Sequence, residues 1–477
     1  MVVGGIVMTE YRKERDSIGE IEVPYDALYG ANSLRARNNF NITSQSMDSE
    51  MINAIVEVKK ACAIENEKIG LLTNVQKEAI ISACNLLLGG SYRDNFIVDP
   101  IQSGAGTSLN MNANEVIANM ANQSLGGNLG IYDKVHPNDH VNKGQSTNDV
   151  IPTSGKIALI RYFKELYDEN IKLINAIEDK ADEFKEVYKM GRTQLQDAIP
   201  ISLGQEFAAY AKVLKRDNER FKKAIQSLSF VNLGGTAIGT GLNADKTYVK
   251  EIVPVLAEVT GLNLKQNEDL IDGTQNLDGF TYSSSILKTY ASNLSKIAND
   301  LRLMSSGPQV GIADIKLPAR QAGSSIMPGK VNPVIPEVVN QVAFGVIGND
   351  LTVTMAVEAG QLELNAFEPI IFYKLVESLK TLKAAIFTLR VNCIENITAN
   401  EKYLSDQVEK SIGLVTALAP HIGYEKASII AHKALETGES VRDLVLFEGL
   451  IDANELDEIL DFKKMIQPGI LDEDKLL

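Results

Sequence analysis

Between about residue 152 and about residue 400, apolar side chains recur at helical spacing with few prolines to interrupt them, and no other feature narrows the fold so far. Ile157, Leu159, Ile160, Phe163 and Leu166 form one such stripe, and Ile55, Val58 and Cys62 form another nearer the start. The interval predicts a bundle of long antiparallel helices. Its apolar faces exceed what one chain can cover, so the surplus is expected to lie between copies of the chain. A length of 477 residues suits two to four domains at roughly 150 residues each. Clusters of Gly, Asn and Asp at 128–148 mark the way into the bundle, and 396–400 the way out. Strand-like alternation is scarce; short strands are expected near residues 19–28, where Glu20, Ile21, Glu22 and Val23 alternate.

A formal net charge of -15, with no Lys/Arg cluster set against it, argues against nucleic acid as a partner. An anionic substrate must then be held by local charge and oriented amides. Cys62, Cys84 and Cys393 are far apart and in no CxxC spacing, and read as small buried residues of a reducing cytoplasm. The apolar segment at 1–7 lacks a basic flank and is shorter than a signal core, and Met8 is a second candidate for the natural start. No run of eighteen apolar residues follows, so no membrane partner is expected. His136, His140, His421 and His432 show no metal-ligand spacing, and surface or capping roles are expected for them, with His140 also placed to line a site. The glycine-rich run at 234–241 matches neither GxGxxG nor GxxxxGK, which argues against a nucleotide. Glu358, Glu363 and Glu368 do not share a helical face.

Chemistry concentrates in AGSSIMPGKVNP (residues 322–333), where Ser324, Ser325, Lys330 and Asn332 sit in a Gly- and Pro-bracketed loop just before an apolar-periodic segment. A loop entering a helix is an anion site, because free N–H groups and the dipole favour carboxylates and Lys330 adds a full charge. Ser146 and Thr147 fit helix N-caps, and a capped helix end is also an anion site.

This loop resembles the GSSxMPxKxNP signature of the fumarase/aspartase superfamily, and its continuation VIPEVVNQV (334–342) is similar to the branch that removes ammonia from aspartate. SGAGTS and NMNANE (103–108, 110–115), HVNKGQSTND (140–149), GRTQLQDA (191–198) and NLGGTAIGTG (232–241) resemble the other conserved regions, in family order from about Ile18 to about Ile459. The resemblance implies a mainly α, three-domain fold: an N-terminal block at 1–147, a central five-helix bundle at 148–402 and a small helical block at 403–477. It further implies a homotetramer around a twenty-helix core, with active sites shared between subunits, a small dicarboxylate as substrate, and no cofactor apart from a possible divalent activator. Ser324 would be the general base. Thr107, Ser146, Thr147 and Ser325 would ring the β-carboxylate of aspartate, Lys330 and Asn332 would hold the α-carboxylate with Thr193 beside them, and Asn148 would take the amino group.

Gln194 helps to choose among relatives. The matching segment of fumarases carries a histidine that can pair with the glutamate matched by Glu337, and a glutamine cannot relay a proton. Hydroxide is a poorer leaving group than an amine, so Gln194 fits ammonia loss better than dehydration. A fumarate hydratase and a non-enzymatic relative remain the alternative readings.

Overall fold

The computed structural model describes residues 10–470, so the segment at 1–7 and the start at Met8 lie outside the described residues. The chain is mainly α. Strands β1 (Tyr11–Arg15) and β2 (Glu20–Pro24) form an antiparallel hairpin ahead of α1 (Ala31–Asn39), α2 (Ser49–Lys68), α3 (Asn74–Leu88) and α4 (Thr107–Ser124). The long α5 (Thr147–Glu183) leads to a second hairpin, β3 (Tyr188–Thr193) and β4 (Gln196–Ser202), and then to α6 (Leu203–Leu228). Next come β5 (Phe230–Val231), α7 (Lys246–Thr260), β6 (Lys265–Gln266), α8 (Leu270–Gln275) and α9 (Asp278–Met304). After β7 (Ile315–Lys316) and an irregular stretch, α10 (Val334–Glu358) and α11 (Glu368–Asn392) bring the long helices to five, of 25 to 37 residues. Strand β8 (Thr398–Ala399) precedes six short helices: α12 (Glu401–Lys410), α13 (Val415–Ile422), α14 (Tyr424–Thr437), α15 (Val441–Phe447), α16 (Ala453–Ile459) and α17 (Phe462–Met465). Among the described residues no helix is long and apolar enough to cross a membrane.

Two compact units emerge from the packing: residues 1–166, 219–289 and 345–381, and residues 167–218, 290–344 and 382–477. Their limits fall inside the five long helices, so this division does not bear on the blocks expected to end at 147 and 402.

In the first unit, helix ends follow their capping residues. Asp48 accepts from the N–H groups of Glu50 and Met51 to start α2, and Thr73 and Gln76 form a reciprocal capping box on α3. The apolar stripe of α2 lies inside, with Ile55, Val58 and Cys62 fully buried. All three cysteines are free and buried, and burial pushes their thiols up to about 12. Within residues 19–28, where short strands were expected, β2 occupies Glu20–Pro24, paired with a partner the sequence pattern did not single out.

The second unit departs from the expectation of near-continuous helix. Residues 188–202 form the β3–β4 hairpin, where Gly191 and Pro200 weaken any helix. Met190 of β3 joins the core of the C-terminal helices with Val408, Leu418, Ile430 and Leu456. A Cβ on Gly413 would sit 2.2 Å from the Ala198 carbonyl oxygen, so this glycine admits β4 against the C-terminal segment.

Helix α10 carries unburied apolar surface: Phe344, Leu351 and Met355 are 64, 62 and 63 % exposed. Their spacing of seven and four residues puts them on one face.

The glycine-rich run at 234–241 packs by backbone. A Cβ on Gly239 (φ +89) would lie 2.4 Å from the Leu270 carbonyl oxygen and 2.4 Å from the Ile271 Cα, so a side chain there meets main chain that cannot rotate away. Overpacking costs about 1–3 kcal/mol and a left-handed non-glycine residue about 1–2 kcal/mol more. Gly239→Ala should therefore lower stability by at least about 2 kcal/mol, read from the urea midpoint at fixed protein concentration; Gly126→Ala, where a Cβ meets no atom within 4 Å, is the control for positive φ alone.

Candidate active site

In the first unit two motif segments meet at the starts of α4 and α5. Thr107 opens α4 after a turn in which Ala105 (φ 56) and Gly106 (φ 81) are both left-handed. Thr107 is exposed, and its hydroxyl donates to the Gly104 carbonyl at 3.4 Å. Ser146 caps α5: its Oγ accepts from Asn148 N at 3.3 Å, while Asp149 Oδ1 accepts from Ser146 N at 3.0 Å. The capping role anticipated for Ser146 and Thr147 is thus filled by Ser146 alone, while Thr147 is the first residue of α5. The other oxygen of Asp149 accepts from Gly234 N at 3.1 Å and Thr236 N at 3.0 Å, tying the glycine-rich run to the second motif. Burial pushes the Asp149 carboxyl up to about 6 against those N–H donors.

Asn148 donates through Nδ2 to the Ala237 carbonyl at 2.7 Å, leaving its Oδ1 to accept from a ligand. Pro152 lies one turn into α5 and has no N–H for the Asn148 carbonyl; Asn232 Nδ2 donates to that oxygen instead, at 3.1 Å. Thr147 accepts from Asn110 Nδ2 at 3.1 Å, a direct link between the first and second motifs.

Lys59 of α2 was not singled out from sequence. Its side chain is fully buried, and Nζ donates to Asn110 Oδ1, Asn142 Oδ1 and Gln145 Oε1 at 2.7, 2.9 and 2.8 Å. The signal for it was available: Lys59 stands four residues after Ile55 and three before Cys62, inside the apolar stripe. His140 binds within the fold, its Nδ1 accepting from His136 N at 2.8 Å and its Nε2 lying 3.1 Å from Gln76.

In the second unit, Thr193 and Gln194 sit at the tip of the β3–β4 hairpin, both exposed. Gln194 (φ 53) and Leu195 (φ 64) form a two-residue turn with both central residues left-handed, a geometry usually taken by Asn and Gly. The hairpin is anchored by Asp314, fully buried, which accepts from Arg192 Nη1 at 2.7 Å and pairs with Lys189 Nζ at 2.8 Å. Asp314 directly precedes β7, which leads into the signature loop.

That loop closes on itself. A Cβ on Gly323 would overlap the Lys330 carbonyl, 1.4 Å away, and Asn332 Nδ2 donates to the Gly323 carbonyl at 2.7 Å. Ser324 Oγ accepts two main-chain N–H groups, from Ile326 at 3.2 Å and Met327 at 3.0 Å. Ser325 and Lys330 are exposed. Ser146, Thr147, Asn148 and Thr107 thus belong to one unit, and Thr193, Gln194, Ser324, Ser325, Lys330 and Asn332 to the other. Among the described residues no group of three or more His, Cys, Asp or Glu side chains is placed to hold a metal ion.

Comparison with known proteins agrees along the chain. A lyase family model matches residues 19–348, and a model of the fumarase C C-terminus matches residues 414–467. An aspartate ammonia-lyase from Bacillus sp is 50 % identical over 462 residues, which cover 97 % of this chain and 99 % of the relative. The crystal structure of a fumarate lyase:delta crystallin from Brucella melitensis superposes with a TM-score of 0.94 at 47 % identity, covering 96 % of this chain and 100 % of that one. A class II fumarase from Schistosoma mansoni gives 0.92 at 33 % identity, with the same coverage.

Removing Asp314 leaves Arg192 and Lys189 without their common buried carboxylate. Breaking such a group from one side costs about 3–5 kcal/mol. Asp314→Ala should lower the stability of the fold by roughly that amount in chemical denaturation, whereas Asp197→Ala, at an exposed position of the same hairpin, should leave it unchanged.

Proposed function

The chain belongs to the fumarase/aspartase superfamily of lyases, and from that premise we infer that it acts as an aspartate ammonia-lyase, interconverting L-aspartate with fumarate and ammonia. The observation that carries the chemistry is the pair of N–H groups directed at Ser324 Oγ.

Ammonia loss begins with removal of a weakly acidic Cβ proton beside a carboxylate, and charge then builds on that carboxylate as a dianionic enediolate. Donors already in place around it are the largest stabilising effect available. Thr107, Ser146, Thr147 and Ser325 supply hydroxyls of this kind, and the positive end of α5 lies behind Ser146. Ser324 takes the proton. A serine is a weak base, but an alkoxide at its Oγ is met by the Ile326 and Met327 N–H groups, with Lys330 in the same closed loop. Lys330 and Asn332 hold the α-carboxylate, with Thr193 and Gln194 beside them. Asn148 Oδ1 accepts from the substrate ammonium, because its Nδ2 is engaged by the Ala237 carbonyl. The Cα–N bond then breaks anti to the departed proton as the enediolate collapses to the double bond. These steps move protons and one leaving group, so no cofactor is proposed; a divalent ion enters the reading only as an activator.

The exposed stripe of Phe344, Leu351 and Met355 supports a homotetramer built through the long helices, with sites shared between subunits. Three free, buried thiols support a cytoplasmic location. Dehydration of malate is the second reading; Gln194 and the 50 % identity to an aspartate ammonia-lyase both favour deamination.

Two tests address this reading. Ser324→Ala should lower kcat by about a hundredfold or more and abolish exchange of the aspartate Cβ hydrogen with solvent deuterium, while Ser325→Ala, which removes a donor, should leave slow exchange; the reverse pattern would move the base to Ser325. Mixing a Thr147→Val protein with a Lys330→Ala protein, each strongly impaired alone, should give hybrid tetramers more active than either, and no gain after verified subunit exchange would rule out shared sites.

A further inference from the structure

We infer that Lys59 fixes the direction of a hydrogen-bond chain through Asn110, so that the Thr147 hydroxyl must act as a donor toward a bound carboxylate. The inference rests on the reading of Thr147 given above and assigns what sets its polarity. Lys59 is not a catalytic residue in this account, since it touches no substrate; it is a positioning residue.

Three side-chain oxygens converge on Lys59 Nζ, from Asn110, Asn142 and Gln145. An ammonium has three protons and no lone pair, so each atom facing it must be an oxygen. These acceptors hold the ammonium form against the burial that pushes Lys59 down to about 7, and the nearby Asp149 carboxylate helps. With its oxygen taken, the Asn110 amide can face Thr147 only through nitrogen. It donates to Thr147 Oγ1 at 3.1 Å and to Asn142 Oδ1 at 3.3 Å. Thr147 therefore accepts, and its single proton is left for another acceptor. A chain headed by a full charge is polarised at every link, which strengthens the terminal O–H as a donor. With Asn110 turned over, the Thr147 proton would go to the amide oxygen and the hydroxyl would offer a lone pair to an incoming carboxylate.

The same residues fix the position of the motif. Gln145 immediately precedes the Ser146 cap and Asn142 lies four residues before it, and Gln145 Nε2 donates to the Val141 and Lys143 carbonyls at 2.9 and 3.2 Å. Lys59 thus holds the approach to α5 from one side, while Asp149 holds it from the other through Gly234 and Thr236.

Asn110→Asp tests the direction. It keeps the size of the side chain and keeps Lys59 paired, but its carboxylate accepts from Thr147 and reverses the chain. kcat/KM for L-aspartate, followed by fumarate absorbance, should fall about a hundredfold, the effect of one lost transition-state donor, with Tm close to that of the parent protein. Introduced into Thr147→Val, the same change should cost at least about tenfold less, since the donor it disables is already gone. Asn110→Ala, which frees Thr147 to turn, should be less damaging than Asn110→Asp; a role confined to packing gives the opposite order. Parent-like activity in Thr147→Val would overturn the assignment of Thr147 itself. An impaired Thr147→Val together with a harmless Asn110→Asp, or with equal losses in both backgrounds, would overturn the role of Lys59 alone. If Asn110→Asp does not fold, Lys59→Gln decides by the same comparison, because a neutral amide lets Asn110 turn over: a loss that shrinks in Thr147→Val supports the chain, and an equal loss or none refutes it.

Discussion

A charge taken out of water must be met by fixed partners, and in this protein those partners are the loops that carry the sequence motifs. Asp149 has no exposed surface, and the three N–H groups that satisfy its carboxylate come from the cap of α5 and from the glycine-rich run. Lys59 imposes the same discipline on Asn110, Asn142 and Gln145. In the second unit Asp314 orders the β3–β4 hairpin through Arg192 and Lys189. Such groups contribute little net stability, because desolvation offsets most of the attraction; what they supply is one geometry, since any alternative leaves a buried ion unpaired.

The motif loops acquire order without regular secondary structure of their own. The signature loop is held by a carbonyl that tolerates only glycine at position 323, by the Asn332 amide, and by two N–H groups that converge on Ser324. Those N–H groups serve the fold and the proposed chemistry at once, since a site that stabilises an alkoxide is one that already binds a hydroxyl oxygen tightly. Ser146 combines functions in a similar way. Its hydroxyl caps α5, and the same helix end favours an anion beyond it.

The helical class was legible because a period of 3.6 over hundreds of residues is a strong signal, and the long helices lie where it placed them. The hairpin at 188–202 was not, since its strands are short and a hairpin is settled by what packs on it: Met190 against the C-terminal core, Ala198 against Gly413. The motif residues were recognisable as serines, threonines, one lysine and amides in glycine-bounded loops. Their polarity was not, for nothing in the order Ser146, Thr147, Asn148 says which amide atom faces which neighbour. Lys59 was visible as a lysine in an apolar stripe, yet its meaning depended on three oxygens, one 51 and two more than 80 residues away.

Local pattern therefore determined the long amphipathic helices and the chemical inventory: the Ser146 cap and the hydroxyls, amides and lysine gathered in the motif loops. Tertiary structure alone decided how those groups are oriented. Hydrogen-bond direction depends on the atoms opposite each group, and for Ser324, Asn148 and Thr147 it decides which lone pair is occupied and which proton is left to meet a substrate. Periodicity is a property of neighbours along the chain, whereas the satisfaction of a buried charge is a property of neighbours in space.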